Sequence, residues 1–295
     1  MRRVGQRLKL ERVNAATLPL ISQQLSTRCA LALLGAMVLA SVVGLLALGP
    51  VTTVADAHRL TDPRTPLGLT NGWSVLLQLP LLVAACTGAL CARRFTAEAA
   101  LRHAWTAFFT LAAAATLGSM VDHSTPSEGG YVLSKALTAS ACAALAMIFL
   151  AERVSMGWVN RLPLRVALAS GPIGALLWFA SNALLDQPDY RLLLWLEHLP
   201  MLLVPLGLWS LPGRHLRSGD WIAALMWFAS AECIDWADPL IWAASGSVIS
   251  GHALHHLPLA ACLFSLAWAL ARQSAAHESA PSASRQRETS LITSG

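Results

Sequence analysis

Long apolar stretches follow one another along almost the whole chain, at about 29–49, 73–92, 100–121, 131–151, 164–184, 190–211, 221–245 and 249–271. Each is close to the roughly 20 residues that an α-helix needs to cross a hydrocarbon layer. Most connections are too short to hold a second domain, so the pattern predicts an all-α polytopic membrane protein folded as one bundle. Composition agrees: 55% of the 295 residues are hydrophobic and 13% are charged, with a mean hydropathy of +0.54. That is too little charge to cover a water-soluble surface.

Outside the bundle, residues 1–28 form a basic N-terminal segment, and the polar residues 273–295 have too little apolar content to pack and are expected to be disordered. The basic start, the first apolar stretch and Ala55-Asp56-Ala57 together have the outline of a cleavable signal. The stretch is nevertheless long enough to span, which favours a retained helix over 29–49. The six cysteines lie in or beside apolar stretches without a CxxC pair, and read as small apolar residues.

The net charge of +5 has an explanation that needs no nucleic acid. With both termini in the cytoplasm, 17 of the 21 basic residues fall on the inner side, leaving only Arg59, Arg64, Lys135 and Arg191 outside. Such a bias sets membrane orientation. Short loops and the Ala- and Leu-rich composition point to a bacterial inner membrane. No Walker loop, GxGxxG turn, GxSxG elbow or haem attachment motif is present, so no nucleotide cofactor is expected. Trp73, Trp158 and Trp221 fall near the predicted boundaries, as an interfacial aromatic belt requires.

Ionisable residues inside these stretches are costly and mark candidate sites. His123 ends the third stretch, while His252 and His256 open the eighth, where their i, i+4 spacing puts them on one helical face. The predicted topology brings all three to one depth near the outer face. Ser119 lies one turn before His123, and Glu232, Asp235 and Asp238 occupy the outer half of the seventh stretch. Three imidazoles match the protein ligands of a catalytic zinc, a carboxylate could move a proton or orient an imidazole, and a serine hydroxyl could stabilise an oxyanion. His255 could exchange roles with His256, but the i, i+4 geometry favours His256, leaving His255 beside the ligands or between helices. Glu232 reads as a helix–helix contact; Glu197 and His198, adjacent and so about 100° apart on a helix, cannot both face one small site and read as structural hydrogen-bonding residues.

Several separated pieces of the chain resemble the CREST-type membrane hydrolase superfamily that contains the alkaline ceramidases. They are Gly68-Leu69-Thr70-Asn71 with Gln78-Leu79-Pro80, Gly118-Ser119 with His123, Asp189-Tyr190-Arg191 leading to Leu199-Pro200-Met201, and Ser250-Gly251-His252-Ala253-Leu254-His255-His256. The resemblance covers about 68–271 and implies a seven-helix core preceded by one extra helix. It implies Zn2+ held by His123, His252 and His256, Ser119 as a catalytic serine, and a ceramide-like or related membrane lipid as substrate.

The chain departs from the family at Ser134, where the catalytic aspartate is expected. Asp235 or Asp238 is the alternative acid. Two other functions stay open at this point: a catalytically silent, zinc-containing lipid-binding or receptor-like relative, and a metal or proton transporter, for which no internal repeat speaks.

Overall fold

The computed structural model describes residues 27–52 and 68–279; the N-terminal segment 1–26, the Ala55-Asp56-Ala57 site and the tail 280–295 lie outside the described residues. Among the described residues there are helices and no strand. They run α1 (Thr27–Ala47), α2 (Gly72–Leu76), α3 (Leu79–Arg94), α4 (Ala99–Ser124), α5 (Glu128–Arg153), α6 (Arg161–Leu185), α7 (Arg191–Ser210), α8 (Ser218–Trp236), α9 (Asp238–Ala244), α10 (Gly251–Leu254) and α11 (His256–Ser279), with a short 3-10 turn at Met156–Val159. Among the described residues seven spans are long and apolar enough to cross a membrane: α1, α2 with α3, α4, α5, α6, α7, and α10 with α11. The protein is an all-α polytopic membrane protein.

Three expected stretches are interrupted. The second breaks at Leu77 and Gln78, before Pro80 at the start of α3; the seventh breaks at Ala237, before Pro239; the eighth breaks at His255. Proline lacks an amide proton and disfavours a helical residue before it, which accounts for the first two breaks. Helix α8 falls outside the spanning class because Asp220, Glu232 and Asp235 all lie within its 19 residues. At the other end, residues 273–279, expected to be disordered, continue helix α11.

Helix α5 is the central post, packed against α4, α6 and α7, while α3 bridges α4 and α11, and α11 bridges α3 and α8. The ring is thus α5, α4, α3, α11, α8 and α7, with α6 and α1 outside it. Its filling is aromatic and aliphatic. Trp105 is fully buried, stacks on Phe109 and lies 5.9 Å from Trp221. Trp221 is therefore an interior wall residue, 2% exposed, and not part of a boundary belt. Helix α1 is peripheral, presenting Leu33, Leu39, Val43 and Leu46 outward, and is tied in through Trp195 Nε1 donating to Ser41.

Candidate metal centre

Three local devices bring the histidines together. At the end of α4, where the last carbonyls of a helix have no partner within it, the side-chain amide of Asn71 donates to the carbonyl of His123 at 2.9 Å. Asn71 has φ 49°, a left-handed conformation that asparagine tolerates better than most residues. At the start of α10, the Ser250 hydroxyl accepts from the Ala253 amide and caps that helix. Between them, Gly251 lies so close to α8 and α9 that a side-chain carbon there would collide with the carbonyl of Ile234 and the Asp238 backbone. Only glycine lets α10 approach this far, and the approach brings His252 to Asp235.

The rings of His123, His252 and His256 form a nearly even triangle, with centroids 5.3, 5.8 and 5.8 Å apart and planes inclined by 67–71° to one another. One ligand nitrogen from each falls within 4.8 Å of the other two. Zinc bonds of about 2.0–2.1 Å would draw such atoms to roughly 3.4 Å in a tetrahedron, a short rotation of the imidazoles. The chemistry of the set fits better than distance alone indicates. His256 is 5% exposed, and neither of its ring nitrogens has a hydrogen-bond partner. Buried polar atoms are rarely left so, and a metal ion would supply the missing partner. The group can hold a metal ion.

The acids take places that the spacing left open. Asp235 Oδ1 lies 2.9 Å from His252 Nδ1 and 3.1 Å from His255 Nδ1. A carboxylate accepts only, so it holds the proton on Nδ1 of His252 and leaves Nε2 with the lone pair a metal needs. Asp238 Oδ1 accepts from the backbone amide of His252 at 3.0 Å and orients the start of α10. Compared with protein-family models, curated proteins and solved structures, the chain matches none. The reading of the site therefore stands on its geometry.

Below the histidines opens a cavity of about 660 Å³ enclosed by α3, α4, α5, α7, α8 and α11. Ser119 and Ser134 both line it, as do Asp235 and His255. The Ser134 hydroxyl donates to the Tyr131 carbonyl at 2.9 Å. Further down the walls are Phe108, Leu145, Val204, Leu225, Trp221 and Leu266.

Glu197 and His198, expected to point apart and to make structural hydrogen bonds, each bond to a different helix. Lys135 Nζ donates to both Glu197 oxygens at 2.9 and 3.0 Å, and His198 Nε2 lies 3.4 Å from Glu232, which is thus a contact between α7 and α8. All four side chains line the cavity. Lys135, counted by sequence with the residues of the outer side, lies within α5 and faces the cavity. A lone lysine seven residues into a 26-residue apolar helix was the signal that marked it.

Proposed function

We propose that the protein is a zinc-dependent membrane hydrolase that cleaves an amide or ester bond of a ceramide-like or related lipid, as in the alkaline ceramidase superfamily it resembles. The observation that carries the reading is His256: a buried imidazole with both nitrogens unpartnered, facing two more histidines at the head of a lipid-sized apolar cavity. Zinc, when bound, would supply Lewis acidity and a nucleophile at neutral pH. His123, His252 and His256 hold it. Asp235 is a positioning residue that fixes the His252 tautomer, while Asp238 orients the turn carrying it. Ser119, one turn from His123 and on the cavity wall, donates to the developing oxyanion. The deep walls take the hydrocarbon chain. By the distribution of basic residues, the termini face the cytoplasm and the metal end faces outward, in a bacterial inner membrane.

Purified protein is expected to contain about one zinc per chain, to lose it on His256→Ala, and to hydrolyse ceramide in lipid nanodiscs at a rate that Ser119→Ala lowers by about 10²–10³. Absence of zinc from the native protein overturns the site, and zinc without hydrolysis overturns the activity. A second reading, a silent zinc-containing lipid binder, is favoured by one observation: at the position of the family's aspartate, Ser134 turns its hydroxyl to a backbone carbonyl. Gain of hydrolysis by Ser134→Asp from an inactive native protein selects that reading.

A further inference from the structure

The cavity walls carry polar groups part-way down the shaft, among them Gln78, the Lys135–Glu197 pair and the His198–Glu232 pair. Asn71 bonds to the carbonyl of His123, so it marks the level of the imidazoles. Gln78 lies seven residues further on, about 10 Å deeper at the helical rise. On α5, Ser134 packs against Gly118, five residues below His123. Lys135 follows it, at about 9 Å by the same rise. The shaft then continues along α8 from Asp235 to Trp221, about 21 Å in all. Gln78, Lys135 and Glu197 therefore lie on walls that a hydrocarbon chain hanging from the metal centre would run along.

Two features of this polar stretch point to what it meets. Gln78 lies in the cavity wall and is fully buried; its Nε2 donates to the Ser74 carbonyl, while its Oε1 has no hydrogen-bond partner. It therefore wants a donor. Lys135 and Glu197 form a two-oxygen ion pair that still lines the cavity. A charged ligand would have to displace one partner and strand the other. A hydroxyl breaks nothing, because it accepts from an ammonium and donates to a carbonyl or carboxylate at once.

We propose that Gln78, Lys135 and Glu197 form a recognition belt for a neutral hydroxyl on the chain of the bound amphiphile, selecting hydroxylated over plain hydrocarbon tails. The inference rests on the reading of the cavity as a lipid site. Sites built to hydrogen-bond a hydroxyl discriminate strongly against the analogue that lacks it, since their own polar groups are left unpaired.

Palmitoyl hydroxamates carrying one hydroxyl at successive carbons, presented to zinc-loaded protein in nanodiscs, test it. One position is expected to bind at least about tenfold more tightly than the unsubstituted chain. Gln78→Leu, and separately the charge-neutral pair Lys135→Met with Glu197→Gln, should each reduce that preference to less than about threefold. A profile flat along the chain in the native protein, or one that survives both variants, overturns the belt alone. If no hydroxamate binds, the lipid reading of the cavity falls with it.

Discussion

The two ends of the bundle both bury ionisable side chains, and they treat them in opposite ways. At the end away from the histidines, Glu152 is fully buried and accepts from the amides of His215 and Leu216 at 2.8 and 3.3 Å. The His215 ring lies 3.2 Å from Glu152 and 3.3 Å from Glu98, and Arg153 reaches the Leu211 carbonyl and the Ser218 hydroxyl. These contacts clasp the α7–α8 connection to α5. At the histidine end, His256 is equally buried and holds nothing. The clasp is not complete, since Arg153 Nε and Nη2 lack hydrogen-bond partners, but each of its side chains is anchored by at least one neighbour, whereas the His256 ring is anchored by none of its nitrogens.

The largest test of that contrast is Glu152→Ala. It strips two amides of their acceptor and removes the carboxylate beside the His215 ring, and should cost on the order of 3 kcal/mol in thermal unfolding, with zinc content per folded chain unchanged. An equal loss of zinc would mean that the ends are not independent. His256→Ala is the mirror experiment. Native protein should gain about 2.7 kcal/mol from zinc at a hundredfold excess over its dissociation constant, and the variant should gain nothing while unfolding no earlier than native protein without metal.

Asp235→Asn refines the histidine end without emptying it. The ligands remain, but the carboxylate that holds the His252 tautomer is gone, so zinc affinity should fall about 10–100-fold by competition with a chelator, with melting in the absence of metal little changed. An unchanged affinity would reduce Asp235 to a packing residue.

The smallest effect belongs to Asp189, in the connection before α7. Burial pushes its carboxyl up, but the Arg191 side chain and the amides of Arg191 and Val51 outweigh burial and bring it below the ordinary aspartate value. A depressed carboxyl stabilises above the unfolded value, about 3.9, and that stability is lost as pH falls through the lower folded value. The pair is partly exposed, so Asp189→Asn should cost less than about 1 kcal/mol at neutral pH. The difference from native protein should shrink under acid. A difference that grows on acidification would contradict the assigned contact.

Much of this was legible in the chain because membrane spans are written in local composition. Their lengths were within a few residues for α4 to α7, since a run of apolar residues has one stable form in a membrane. The histidines were legible for a related reason: their spacing along α10 and α11, and their position at the ends of spans, follow from helical periodicity. The breaks at Leu77–Gln78, Ala237 and His255 were not, since a span interrupted over one or two residues keeps the composition of a whole one. The partner of Lys135 was hidden for a different cause: an ion pair with Glu197, 62 residues away, cannot be read from either residue alone.

By itself, then, the sequence determined the membrane class, the helices, and the three imidazoles at one end of the bundle, all of which rest on local hydropathy and helical repeat. Only the tertiary structure decided which acid serves which histidine, that Trp221 is a wall and not an anchor, and that Gln78, Lys135 and Glu197 share a cavity. Those facts depend on how closely helices approach, and at Gly251 that approach is set by the absence of a single carbon.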